Sequence, residues 1–416
     1  PRSPLDAAPP CREVMMSTEL VAFHDLSFVP EGEEVVVGRS DTGTYVVLPV
    51  DGAALLTRMV EGMPPNSAAD WYEDTYGEPV DVVEFLDTLA ELGFLRNNAT
   101  EVLAAPVGRP WVTRLAAAVF SPVAWVVYAA IFVAWLVAVT RHPDLLPRPG
   151  QVFFTGSLVL VQLVIIVCQW PLIFLHEGSH VLAGRRLGLP STLGVSNRLI
   201  SIVFETRMNS VLSVPRRQRY LPFLSGMACD LVVWCLLGLI AELTRAPDGT
   251  FSVAGRVALA LALTCVLRLA WQFQLYLRTD LYYVVSTAWN CHNLHDASMT
   301  MVRNRIWRLL GRPDRIVDEE QWTVRDRRVG RWYGPCMAFG ICVFLAIAAL
   351  GSIPVLVRYV EIVASRLHTG MLDAGFWDVV VSLLINVANI VALVVLARRK
   401  RRRSAAPGVS RGEELA

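Results

Sequence analysis

The segment His176-Glu177-Gly178-Ser179-His180 closes an apolar run that begins at Val152, and this placement constrains the chain more than any other feature. On a helix, side chains four residues apart project from one face, so both histidines can ligate one metal ion. The glutamate beside the first histidine can then serve as a general base toward water at that metal. Ionisable side chains at membrane depth are costly and default to a functional reading. Clustered there, His176 and His180 are candidate Zn2+ ligands and Glu177 is the candidate catalytic residue. The pattern excludes the zinc-protease class with a third histidine six residues further on, because Arg186 occupies that place.

Hydrophobic residues form 54% of the 416 and the mean hydropathy is +0.44, too apolar for an ordinary soluble enzyme of this length. The expected fold is a mainly α membrane protein with about six transmembrane helices, each near the roughly 20 residues that a bilayer requires. They are expected at about 115–140, 152–183, 220–243, 254–285, 333–357 and 377–397. The loops after the second and fourth spans are rich in arginine, and the tail Arg398-Arg399-Lys400-Arg401-Arg402-Arg403 is polybasic. The positive-inside rule then puts both termini in the cytoplasm of a multi-pass protein of the cell membrane. No cleavable signal peptide is expected, since the first hundred residues lack an apolar core. Cys168, Cys229, Cys235 and Cys265 fall within spans without a Cys-x-x-Cys pair, as small buried hydrophobes would.

Residues 17–96 read as a separate α+β domain, winged-helix-like, followed by a linker at 97–114, the membrane domain at 115–397 and a basic tail at 398–416. Val35-Val36-Val37 and Tyr45-Val46-Val47-Leu48 read as strands around the turn Ser40-Asp41-Thr42-Gly43. Helical patterns follow at about 51–61, 66–76 and 80–94. Acidic side chains far outnumber Arg39, Arg58 and Arg96 here, so a phosphate backbone would be repelled and nucleic acid is excluded as a partner.

Phe28-Val29-Pro30-Glu31-Gly32, Tyr45-Val46-Val47-Leu48, Asp51-Gly52-Ala53 and the stretch from Phe85 to Leu95 resemble the PqqD-type recognition element of ribosomal peptide natural-product pathways. The resemblance covers about a fifth of the chain. It implies that the leader of a precursor peptide adds as a strand to the small sheet and packs on the third helix. Val35, Val37, Tyr45, Val47, Phe85 and Leu89 are the candidate leader contacts. The alternative is an acidic folded domain with no peptide ligand.

A second resemblance covers roughly residues 150–300. His176-Glu177-x-x-His180, with the small Ala183 and Gly184 after it, is similar to the site-2-protease family of intramembrane zinc metalloproteases. That family takes its third ligand from an aspartate on a later span, and here the corresponding residue is Asp280 in Leu277-Arg278-Thr279-Asp280-Leu281-Tyr282-Tyr283. The usual glycine after the aspartate is replaced by Leu281. Topology puts Asp280 near the same end of an inward-running fourth span as the histidines have on the second. Asp230, Glu205, His292, His295 and Asp296 compete for the role, with Asp230 and Asn290 also candidates for supporting the ligands from behind. The β-prone residues 196–210 match the family segment that holds substrate extended, or else form an amphipathic segment at the membrane surface.

The expectation is an intramembrane zinc metalloendopeptidase that cuts a leader-bearing precursor peptide, with the lipid bilayer as its surroundings. Regulated cleavage of a signalling protein is the alternative within the class. A non-catalytic export or immunity factor for a modified peptide is the alternative outside it. Nothing in the sequence fixes an oligomeric state.

Overall fold

The computed structural model describes residues 20–96, 110–198, 201–207, 209–291, 294–319, 322, 324–368 and 371–404. The chain is mainly helical, with a small three-stranded sheet near its beginning. Most of the 97–114 linker, the end of the tail, His292 and Asn293 lie outside the described residues.

The amino-terminal domain is a meander of β1 (Ser27–Glu31), β2 (Glu34–Arg39) and β3 (Thr44–Pro49), followed by α1 (Val50–Val60), α2 (Pro65–Tyr76) and α3 (Val82–Glu91). The pairing aligns Phe28 with Val37 and Val46, and Val35 with Leu48. Period-two alternation puts these side chains on one face, where they pack with Leu55, Leu56, Met59, Leu86, Leu89 and Phe94. Asp81 starts α3 by accepting from the Val83 and Glu84 amides. Two strands are expected from the sequence and three are found. β1 contains Pro30, which weakens its strand signal but is tolerated on an edge. The second sheet face is not left to solvent. Val36 is almost fully buried although it stands outside the domain's core, and β1 and β2 lie against the short turn Asn209–Ser213 of the membrane domain.

Among the described residues, six helices are long and apolar enough to cross a membrane: α5 (Pro122–Arg141), α6 (Leu158–Arg186), α7 (Arg216–Leu243), α8 (Val253–Trp271), the continuous stretch Arg325–Leu367, and Ala374–Leu396. Their outer faces expose many large side chains, among them Val126, Leu160, Val167, Leu356 and Leu384. So much contiguous apolar surface is expected of helices bathed in lipid. The expected first span begins too early. α4 (Pro110–Val119) ends before Ser121, which accepts from the Ala124 amide and starts α5 with Pro122 at its first position. The fifth span is α11 (Val324–Ile347), a π-turn at Ala348–Ser352 and α12 (Ile353–Leu367). Gly351 in that turn lies against Leu267 of α8.

Two features set the site. First, α6 is tied at its start to α13 (Ala374–Ser404): Asp378 accepts from Ser157 Oγ and from the Leu158 and Val159 amides. A carboxylate at a helix N-terminus suits both the unpaired amides and the dipole. Second, the expected continuous fourth span is corrected. α8 stops at Trp271, a turn runs through Leu275–Leu277, and Asp280 opens a new helix, α9 (Asp280–Trp289). Tertiary contacts hold the break. Tyr333 of α11 donates to the Leu275 carbonyl at 3.0 Å, and Gly340 gives room to the Phe273 carbonyl. Gln272 binds both Thr279 and the Asp280 amide. Arg278 takes a left-handed φ of 52° at the bend. After α9 come α10 (Leu294–Leu309) and α11. The seven cysteines among the described residues are all free, four of them (Cys168, Cys229, Cys235 and Cys265) on α6, α7 and α8.

Candidate metal centre

His176 and His180 sit one turn apart on α6, five residues beyond Pro171, and both are buried. Each ring is fixed by its far nitrogen. His176 Nδ1–H donates to Asp230 Oδ2 at 2.9 Å, and His180 Nδ1–H donates to the Pro222 carbonyl at 2.7 Å. A carbonyl only accepts, and the carboxylate is held by Arg268, so the proton belongs on Nδ1 in both rings. The two Nε2 atoms then carry lone pairs. They face each other at 3.3 Å.

Asp280 completes the group. Its Oδ2 lies 3.4 Å from His176 Nε2 and 3.2 Å from His180 Nε2, and it has no hydrogen-bond donor. Three converging acceptors without a proton between them repel one another, and a cation at their centre removes that cost. The spacing fits zinc. Ligands at about 2.0–2.1 Å in a tetrahedron stand about 3.3 Å from each other. Among the described residues, this is the one cluster of three His, Cys, Asp or Glu side chains that could hold a metal ion. The break after Trp271 is what makes it possible, because it lets Asp280 turn in from the first position of α9.

Behind the histidines, α7 and α8 form a supporting layer. Arg268 of α8 grips Asp230 with two hydrogen bonds, Nε at 2.8 Å and Nη2 at 2.6 Å. Asp230 therefore orients His176 rather than facing the cluster, as ligating histidines commonly require of a carboxylate. Ser225 Oγ donates to the same Pro222 carbonyl that His180 uses. Between them, Gly226 brings the α7 backbone against both imidazoles. A Cβ there would fall 2.7 Å from His176 Cε1 and Nε2, and closer still to His180 Nε2. Gly226→Ala is accordingly expected to displace the rings and lower zinc affinity by at least about tenfold, a loss of the size seen when ligand support is removed. Metal analysis of the purified variant checks this; a full zinc complement at wild-type affinity would show that α7 can withdraw.

Glu177 is buried beside the pair and interacts electrostatically with His180. It is not among the three converging side chains. The other candidates fall elsewhere. His295 packs on the rings of Tyr282 and Tyr333, and Asp296 pairs with Arg278 at 2.7 Å. His292 lies outside the described residues, and so does the side chain of Glu205. Asn290 is corrected: it caps the far end of α9 at φ 53°, about 15 Å of helix from Asp280, and its amide meets Glu31 and Arg325 rather than a converging side chain. The β-prone segment is a hairpin of β4 (Thr192–Arg198) and β5 (Ser201–Arg207), packed against α6.

The candidate leader contacts separate into two sets. Val35 and Val37 lie on the central strand with both neighbours paired, and their side chains are inside the core, so they offer no edge to an added strand. Leu89 is likewise sealed in the core. Tyr45 and Val47 stand on edge strand β3, and Phe85 is half-buried on α3. Sequence reasoning passes over Arg268. An arginine inside an apolar span was a signal of its own.

Comparison with known proteins finds no matching family model, curated protein or solved structure. The functional reading therefore rests on the residues themselves.

Proposed function

We propose that the chain is a membrane-embedded zinc endopeptidase that cuts a precursor peptide recruited by the amino-terminal domain. The observation that carries this reading is the convergence of His176 Nε2, His180 Nε2 and Asp280 Oδ2 at 3.2–3.4 Å, with Glu177 buried alongside. Two histidines and one carboxylate are a donor set that leaves a position open in catalytic zinc sites. Zinc, when bound, supplies a Lewis acid for the scissile carbonyl and lowers the pKa of a water toward about 7. Glu177 takes the proton of the attacking water and delivers it to the leaving amine. Asp230 and Arg268 keep His176 from turning, and the Pro222 carbonyl does so for His180.

Substrate chemistry follows from the surroundings. An apolar cleft between α9 and α11 is lined by Leu281, Val285, Trp289, Trp332 and Phe339, side chains that suit an apolar core peptide, and Leu281 follows Asp280 in the chain. The hairpin β4–β5 offers backbone edges to an extended chain, and edge strand β3 offers another to a leader. Recruitment by the same chain raises the local concentration of the cleavage site to about the millimolar range. The test is cleavage by the full-length protein in nanodiscs, with zinc supplied, of precursor with and without its leader. Leader removal is expected to raise KM by about 10–100-fold while kcat changes little, as loss of uniform binding does. Equal KM for the two peptides would remove the recognition role, and no cleavage of either would remove the peptidase reading.

A further inference from the structure

Among the described residues, a deeply buried ion pair joins the two domains and involves neither the metal cluster nor a candidate leader contact. Glu31, the last residue of β1, meets Arg219 of α7 at 2.6 Å, and each side chain is only 3% exposed. The rest of the Arg219 guanidinium is used as well. Its Nε donates to the Val214 carbonyl at 2.9 Å and its Nη2 to the Leu212 carbonyl at 3.0 Å, fixing the turn on which the sheet rests. Glu31 has a second partner. With the Asn290 amide oriented to satisfy its neighbours, it donates to Glu31 Oε2 at 2.5 Å and accepts from Arg325 Nη1 at 2.7 Å. One carboxylate of the amino-terminal domain thus touches the start of α7, the end of α9 and, through Asn290, the start of α11.

The first two of these elements frame the metal cluster. Arg219 lies one turn before Pro222, whose carbonyl holds His180, and Gly226 follows one turn later. α9 carries Asp280 at its other end. Arg216, also in the first turn of α7, donates through Nε to the Thr287 carbonyl at 2.6 Å and through Nη2 to the Ala288 carbonyl, which caps α9. Phe223 of α7 stacks on Tyr283 of α9 with ring centroids 5.3 Å apart. A buried charge left without its partner is costly, so the Glu31–Arg219 pair favours a single docked register of the two domains.

We infer that Glu31 and Arg219 form a latch by which the amino-terminal domain holds α7 and α9 in register, so that the domain positions His180 and Asp280 as well as receiving peptide. The positioning half rests on the proposed metal centre; the docking half does not. Both residues act through the helices they clamp and are positioning residues. Undocking would loosen the ligand frame, and docking would tighten it.

Hydrogen–deuterium exchange of the full-length protein in nanodiscs reads the latch without reference to activity. Glu31→Gln is expected to speed exchange at least about tenfold in 27–38, 209–220 and 280–290 together, while 82–91 keeps its protection, the pattern of a cooperative local opening. Arg219→Gln should open the same segments from the membrane side. The double variant should open them no further than either single one, because the two side chains act as one pair. Additive opening, or unchanged exchange in 209–220 for Glu31→Gln, overturns the latch. Should a single variant lose protection at 82–91 as well, the double variant still decides, since additive loss speaks against a shared pair.

Chelator competition and steady-state cleavage then read the positioning. Glu31→Gln is expected to hold zinc about 10–100-fold less tightly, as with other losses of ligand support. It should also cut a leaderless peptide with kcat lowered about tenfold or more and KM within about twofold, because a misplaced frame costs turnover rather than uniform binding. Opened exchange with wild-type zinc affinity overturns the positioning claim and leaves only docking. If the wild-type protein cuts no peptide, the peptidase reading fails while exchange and zinc affinity still report on the latch.

Discussion

Glu177→Gln is expected to lower kcat for precursor cleavage by about 10²–10⁴-fold, the usual contribution of a positioned acid–base group, with zinc content unchanged. The two side chains have nearly the same shape, so α6 has no steric reason to move. The three converging ligand atoms come from His176, His180 and Asp280, and none from Glu177. What the substitution removes is a carboxylate able to take a proton and return it. The glutamine variant also loses a negative charge beside His180, which lessens the attraction for a cation without removing a ligand. Zinc affinity is therefore expected to fall only slightly. Mass spectrometry of the precursor incubated with purified variant, beside metal analysis of the same sample, measures both quantities. Cleavage at the wild-type rate would show that the proton is handled by another group, and loss of zinc would make Glu177 part of the metal's support.

Two kinds of information in the chain behaved differently. The six apolar helices were legible because span length is set by bilayer thickness and written in about 20 consecutive residues. The histidine pair was legible because four-residue spacing is a local property of a helix. The break after Trp271 was not, since no proline or glycine marks residues 272–279. It is held by Tyr333 and Gly340, which come from α11. β1 was hidden by Pro30, and only the pairing shows that the proline lies on an edge. Asn290 was misplaced for a related reason. Its partner Glu31 belongs to the other domain, and spacing along the chain carries no record of that contact. Asp280 was named from a family pattern and from its depth on an inward-running span, yet the route by which it reaches the histidines, the first position of a new helix, is a tertiary fact. Arg268 was readable: a charged side chain in an apolar span calls for a buried partner, and Asp230 is that partner.

Replacement of the two aspartates is expected to separate ligand from support. Asp280→Ala removes one of three protein donors, so zinc affinity should fall by more than the about 10–100-fold that loss of a supporting carboxylate costs. Excess zinc should fail to restore activity, because two histidines alone leave the ion without its charge-balancing ligand. Asp230→Asn should behave otherwise. The amide keeps the shape of the side chain and an oxygen that can accept from His176 Nδ1–H, so all three ligand atoms remain. Arg268, however, loses its carboxylate partner in a buried setting, which costs stability as any broken buried pair does. The expected result is zinc held about 10–100-fold less tightly but returning to one ion per chain when zinc is raised, with activity recovering in parallel. Asparagine is preferred to alanine at this position because alanine would leave the guanidinium with only Gln169 and Cys265 as polar partners. Zinc titration of apo-protein against a competing chelator gives both affinities on one scale. The reverse order, with Asp280→Ala saturating normally and Asp230→Asn failing to bind, would move the third ligand to α7 and require His176 to turn about its Cβ–Cγ bond. Coupling to folding adds a second readout: metal that binds only the folded protein raises its melting temperature as zinc is added. Wild type and Asp230→Asn should both show that rise, and Asp280→Ala should not.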